Sequence, residues 1–266
     1  MTGSVTGRRG LFLGAVLATA LSLLLPMTGE GQESRGSDEW KAEGELGGSF
    51  FFGNREQVQF TTRAEVERAD SLFESATELR FSYGEAENRD GEREINRRSW
   101  VANTSLDFRP TERLRPFVSG RLESSFERRI ALRYNAGTGL RLISERDRRN
   151  RIEFAMAIQA ERTFARDDAD DFPVDDLNVA RISSDFRVRR TFFSDRLALD
   201  SNTSYRPVFD SFGNFTLSNR NAISYDLTQV LAIRYSVLTE YDSGALDRGA
   251  RTNRDGQMQV ALVARF

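Results

Sequence analysis

The fold class this sequence predicts is all-β: a closed, antiparallel, up-and-down transmembrane β-barrel of about twelve strands. Three observations predict it. From Trp40 onward apolar residues fall on alternate positions, as they do when successive side chains point to opposite faces of a sheet. The positions between them are heavily charged, so each strand has one apolar and one ionic side. The connectors sort by length, long ones at one end and tight turns at the other, a habit of membrane barrels that a sandwich has no reason to share.

Residues 1–29 read as a secretory signal peptide, with Arg8 and Arg9 as its positive region and Leu11 to Leu25 as an apolar core ended by Pro26. That run is short of the ~20 residues a membrane helix needs. The Arg8-Arg9 pair suggests a twin-arginine signal only weakly, because no folded cofactor protein follows. Residues 30–38 are rich in Gly, Ser and Glu and form a flexible leader. The barrel is expected over residues 39–266.

The first strand runs from Trp40 to Phe52. Val58, Phe60, Thr62, Ala64 and Val66 mark the apolar side of the second, and Phe73, Thr77, Leu79, Phe81 and Tyr83 that of the third. Trp100, Ala102, Thr104, Leu106 and Phe108 follow, then a strand around Phe117 to Phe126. Ile130, Leu132, Tyr134, Ala136, Thr138, Leu140 and Leu142 share one face, as do Ile152, Phe154, Met156, Ile158 and Ala160. Later sets are Ile182, Phe186 and Val188; Leu197, Leu199, Thr203 and Tyr205; and Phe215, Leu217, Ile223 and Tyr225. Leu231, Ile233, Tyr235, Val237, Thr239 and Tyr241 precede the last strand, where Met258, Val260, Leu262, Ala264 and Phe266 alternate with polar partners.

The opposite parity carries the expected lumen charge network. It comprises Arg63, Glu65, Glu78, Arg80, Arg121, Glu123, Arg133, Arg141, Glu153, Asp185, Arg187, Arg220, Arg234 and Glu240, with Glu161 on the same face. Isolated charges in a narrow barrel are costly, so Glu and Arg neighbours are expected to pair across strands. Alternation alone does not separate a membrane barrel from a soluble sandwich or lipocalin. Connector lengths do: Gly84 to Arg98, Arg166 to Asn178 and Asp242 to Gly256 are long and follow the third, seventh and eleventh strands. The opposite end has Arg68 to Asp70, Arg109 to Glu112, Ser194-Asp195 and Asp226 to Thr228, with the basic turn Glu145 to Asn150 the longest. Pro110 and Pro173 fall in connectors and Pro116 and Pro207 near strand ends, where a missing N–H does least harm.

Composition bounds the chemistry. The 266 residues carry 38 Lys+Arg against 40 Asp+Glu, a net charge of −2 that gives no global pull toward nucleic acid. Lys41 is the only lysine, a bias that base composition explains. Without cysteine there are no disulfides, thiolate metal sites, thiol nucleophiles or lipoprotein anchor. Without histidine there is no Ser-His-Asp triad and no His-ligated zinc.

Two segments carry a resemblance. Trp40 to Asn54, with Leu46-Gly47-Gly48-Ser49 and Gly53-Asn54, resembles the opening of the salt-induced outer membrane protein family, whose function is unknown. Arg133 to Leu142, with Gly137 and Gly139, is similar to that family's Arg-x-x-x-Gly-x-Gly strand. The resemblance spans Trp40 to Phe266. It implies a bacterial outer-membrane barrel linked to salt or osmotic response, and it carries over no catalytic residue. By their own chemistry, Gly53-Asn54 suits a tight hairpin, and Gly137 and Gly139 would leave room for a bulky side chain across the lumen. A nucleotide-binding glycine loop fails for want of a following helix and a phosphate-binding lysine.

Asp167, Asp168, Asp170, Asp171, Asp175 and Asp176 would suit Ca²⁺ by donor type, but their spacing matches no EF-hand or repeat-toxin pattern. A solvated loop facing water and lipopolysaccharide is the plainer reading. Arg146, Arg148, Arg149 and Arg151 fit a solvated turn better than a nucleic-acid site. Phe50, Phe51 and Phe52 fit an interfacial aromatic girdle better than a ligand box. No catalytic, cofactor or metal site is expected. The functional expectation is a non-enzymatic envelope-structural or salt-stress protein of the outer membrane. A passive channel for small ions or solutes is the alternative, and an enzyme using a carboxylate pair or Ser/Lys chemistry is a third. Expected partners are outer-membrane lipid, lipopolysaccharide and the barrel-assembly machinery, for which Phe266 is the expected assembly signal, and no nucleic acid.

Overall fold

The computed structural model describes residues 39–51, 57–87, 92–146, 150–166, 177–194 and 196–266. The expected signal and leader, Gly53-Asn54, the side chains of Phe50 to Phe52 and the acidic segment 167–176 lie outside the described residues. Twelve strands account for nearly all the rest: β1 (Glu39–Phe51), β2 (Gln57–Ala69), β3 (Phe73–Glu87), β4 (Arg93–Phe108), β5 (Leu114–Ser125) and β6 (Ile130–Arg146). They continue as β7 (Asn150–Ala165), β8 (Leu177–Phe192), β9 (Leu197–Val208), β10 (Ser211–Asp226), β11 (Leu231–Asp242) and β12 (Arg254–Arg265). Each strand pairs antiparallel with its sequence neighbours, and β12 returns to β1, so the barrel is closed. Closure leaves no open edge with unpaired backbone groups. Gly44 faces Ala64 on β2 and Ala264 on β12, and Phe266 exchanges both backbone hydrogen bonds with Ala42, at 2.8 and 3.0 Å.

The polarity is that of a membrane barrel. Outward positions hold Leu46, Leu79, Leu140, Ile158, Met258 and Leu262, all well exposed, whereas buried positions are dominated by Arg, Glu, Asp, Ser and Gln. A lipocalin would bury the apolar set. A twelve-residue strand rises ~40 Å along itself and ~30 Å along the axis at a tilt of ~40°, enough to span a hydrocarbon layer. Aromatic residues gather toward both rims: Trp40, Phe73, Phe108 and Phe266 at the end that carries the termini, Tyr205, Phe215 and Tyr241 at the other. Such girdles sit where headgroups meet hydrocarbon.

Four expectations need correction. Gly84 to Arg98 is not a long connector, because β3 runs to Glu87 and β4 starts at Arg93. Charged side chains on both faces there disguised two strands that project beyond the apolar band. The long connectors are therefore 166–176 and 243–253, both at the end opposite the termini. The basic turn Glu145 to Asn150 is likewise shorter than expected, β6 reaching Arg146 and β7 starting at Asn150. Ile130 does not face outward: register shifts between Glu123 and Ser125 and between Ile130 and Leu132 reset the alternation, and Ile130 is fully buried.

The fourth concerns Gly137 and Gly139. They face the lumen, but what they accommodate is the neighbouring strand rather than a group across the interior. A Cβ on Gly139 would lie 2.0 Å from the Met156 carbonyl oxygen, and one on Gly137 would lie 2.5 Å from that of Ile158. Phe117, opposite Gly139 on β5, packs against Ala155 and Ala157 of β7, so its ring lies over the glycine between them.

Candidate functional site

The lumen is the only place where this chain concentrates chemistry among its described residues, and its charges fall into three groups. On the β1–β3 and β10–β12 side, Arg63 reaches Glu43 at 3.2 Å, Glu78 at 2.5 Å, Glu45 at 3.8 Å and also Glu65. Arg234 bonds Glu43 and Glu45 at 2.5 and 2.9 Å. Arg220 crosses toward β3, 3.7 Å from Glu78, which also attracts Arg80 at 3.8 Å. Every residue here points inward by strand parity, since the lipid-facing set occupies the other positions.

On the β4–β9 side, near the end with the termini, Arg141 donates to Asp107 at 2.9 Å and lies 3.9 Å from Glu153. It also stacks over the Phe117 ring, 5.0 Å from the centroid. Arg187 pairs with Asp200 at 3.1 Å, and Asp185 accepts from Ser183 Oγ at 2.6 Å.

The third group fills the end away from the termini. Glu123 accepts from Arg121 at 2.9 Å and Arg133 at 3.1 Å, and Arg128 lies at 3.5 Å. Arg133 then crosses from β6 to the end of β11, donating to Asp242 at 3.0 Å. Asp242 also accepts from Arg248 at 2.6 Å and from the Gly244 backbone N–H at 3.1 Å. Arg248 donates back across the mouth to the Arg128 carbonyl at 3.3 Å, and Arg128 lies 4.0 Å from Glu240.

A round twelve-strand barrel is ~24 Å across between backbones for ~4.8 Å strand spacing and ~40° tilt, wider than an arginine and an aspartate span end to end. The Arg133–Asp242 contact therefore means that the rim and the 243–253 loop lean inward. Ala245 and Arg248 of that loop are buried accordingly.

Charge balance differs between the two rim arginines. Burial opposes the charge on Arg128, but Glu123, Glu240, Asp242 and Asp255 outweigh it and hold the group above the ordinary arginine value. Burial dominates at Arg248 and leaves it below that value, with Asp242 the opposing attraction. Arg248 is thus the less compensated member of the closure.

All fourteen lumen charges expected from sequence face the interior, and so does Glu161, which pairs with Arg181 at 2.9 Å. Parity reasoning passed over Glu43, Glu45, Asp107, Arg115, Arg181, Asp200 and Arg206, although they obey the same alternation. Arg128 and Arg248 had no sequence signal, because they lie in a turn and a loop where parity has no meaning. Phe266 points outward at the rim. No group of three or more His, Cys, Asp and Glu residues among the described residues is arranged to hold a metal ion.

Between the groups lies a cavity of about 510 Å³, bordered by Lys41, Glu43, Arg265 and Phe266 at one extreme and by Gln159, Arg206 and Leu238 further in. It opens toward the end with the termini. Toward the other end lies a void of about 20 Å³, beside Arg97, Glu127 and Arg128.

The family described as "Protein of unknown function, DUF481" matches residues 44–266. The chain belongs to this family. That is the family of unknown function to which the Trp40–Asn54 and Arg133–Leu142 segments pointed. No curated protein sequence matches. Among solved structures, the NanC porin is similar at 12% identity and TM-score 0.46, over 85% of this chain and 98% of the other. The KdgM porin in complex with disordered oligogalacturonate matches at 10% identity and TM-score 0.40, over 85% and 98%. The translocator domain of autotransporter NalP from Neisseria meningitidis matches at 9% identity and TM-score 0.40, over 97% and 95%.

Proposed function

We propose that this chain is an integral protein of the bacterial outer membrane, non-enzymatic, with an envelope-structural role tied to salt or osmotic stress. The observation that carries this reading is the ion lattice joining Arg133, Asp242, Arg248 and Arg128 across the lumen. A barrel kept for free diffusion has no use for such a closure, whereas a structural barrel gains rigidity from it. The salt-stress association rests on family resemblance. In this reading residues 1–29 direct export, the outer surface contacts lipid and lipopolysaccharide, and Phe266 is read by the barrel-assembly machinery. The end with the termini then faces the periplasm. The purified protein in planar bilayers should be silent; steady conductance of the wild-type chain would overturn the closed-barrel reading. Deleting Phe266 should impair membrane insertion in cells, read as loss from the outer-membrane fraction.

A second reading is a passive channel for small ions or solutes, favoured by the 510 Å³ cavity that already occupies much of the lumen. In that case the lattice is a gate, and displacing the 243–253 loop completes the path.

A further inference from the structure

The cavity is more basic than the chain around it. Twelve Lys and Arg side chains border it against eight Asp and Glu, although the chain as a whole carries a net charge of −2. Most of these cations have carboxylate partners within hydrogen-bond distance. Arg206 on β9 does not: the carboxylate beside it, Asp185, is 3.7 Å away and already accepts from Ser183. The Arg206 Nε has no partner.

Three further polar atoms on the same wall are orphaned. Gln159 Oε1 on β7 and Ser204 Oγ on β9 belong to side chains only 6% and 7% exposed, both face the cavity, and neither atom has a hydrogen-bond partner. Ser119 Oγ on β5 is in the same condition. Register brings Ser119 and Gln159 together. Ser119, Gly137 and Gln159 stand abreast on β5, β6 and β7, and the missing Cβ of Gly137 gives the Gln159 side chain its room. Arg206 and Ser204 stand two strands further round the wall, on the far side of β8.

Buried polar groups are almost always satisfied, so a wall with four orphans facing one cavity is built for something that satisfies them. The demands are specific. Gln159 Oε1 only accepts, so the occupant donates there, as a hydroxyl does. Arg206 only donates, and its Nε has no acceptor, so an anionic group suits it. A cavity of this size has room for a solute of sugar dimensions.

We propose that this wall is a binding site for a small, hydroxyl-bearing organic anion, with its acidic group at Arg206. Its hydroxyls bond Gln159, Ser204 and Ser119. The site is reached from the end with the termini, and it exists whether or not the lumen conducts. Titration calorimetry on the full-length mature barrel in detergent tests it, independently of the conductance measurement above.

Three probes separate the requirements: gluconate carries charge and hydroxyls, sorbitol has the hydroxyls alone, and acetate the charge alone. Gluconate should bind saturably, and sorbitol and acetate at least ~10-fold more weakly. Arg206→Gln and Gln159→Met should each weaken gluconate ~10-fold or more, with folding checked by heat-modifiable gel mobility. Ser204→Ala removes one small orphan without disturbing any ion pair, and should weaken gluconate ~3-fold or more even where Arg206→Gln does not fold. Gluconate binding no tighter than sorbitol, or unchanged affinity in the folded variants, would overturn the proposal.

Discussion

Asp242→Asn is the sharpest test of what closes the lumen. The substitution keeps the shape and the oxygen that accepts from the Gly244 N–H at 3.1 Å, but removes the charge that Arg133 and Arg248 share. Each charge-assisted bond contributes ~1.5–3 kcal/mol. Arg133 recovers much of its share from Glu123 at 3.1 Å and Glu161 at 3.6 Å. Arg248 does not, because its remaining bond runs to the Arg128 carbonyl at 3.3 Å. Its charge, already disfavoured by burial, then lacks its counterion. The docked loop therefore loses ~2–3 kcal/mol, which shifts the docked-to-undocked ratio ~30- to 150-fold. In planar bilayers the silent wild-type barrel should become one that opens in bursts, and Arg248→Gln should behave alike. If both variants fold, by heat-modifiable mobility, and stay silent at every voltage, the 243–253 loop is not what closes the lumen.

Three other outcomes follow from particular residues. Ile158 lies mid-strand on the outer face of β7, so Ile158→Arg should cost ~2–4 kcal/mol of unfolding free energy in lipid vesicles. The same change on a water-facing surface falls within ~0.5 kcal/mol, so a neutral result would refute the membrane reading of the apolar face. Gly139→Val sets its Cβ against the Met156 carbonyl and should cost ~3 kcal/mol or more, seen as loss of the heat-modifiable folded band. Asp70 in the β2–β3 turn accepts from the backbone N–H of Phe73 and Leu72 at 2.8 and 2.7 Å, which holds its carboxyl below the ordinary 3.8. Its contribution to the turn is therefore complete above that ordinary value and is lost as pH falls through the depressed one. Carboxyl NMR should show Asp70 titrating below 3.8; titration at or above it would remove the capping argument.

Strand existence was legible because period-two patterning survives wherever one face meets lipid and the other meets charge. Val58 to Val66 and Leu231 to Tyr241 read correctly for that reason. It failed where neither face meets lipid: β3 and β4 beyond Gly84 are polar on both sides and passed for a loop. It failed again at Ile130, because a register shift changes parity without leaving a mark in composition. The lumen charges on regular strands were legible one by one, whereas their partners were not. Arg133 and Asp242 are 109 residues apart and meet only because the strand ends lean over the mouth.

By itself the sequence determined that about twelve strands follow one another, that apolar and ionic faces alternate, and that an even count sets both termini at one end, since these are local or follow from parity. Only the tertiary structure decided which ionic residues meet across the lumen. It also decided that one end of the lumen is latched while the other holds a cavity, and that Gln159, Ser204 and Arg206 share a wall. The physical reason is closure: pairing β12 with β1 turns a repeating two-sided strand into a tube. Position around and along that tube is set by register and bulges, which a linear pattern of residues does not encode.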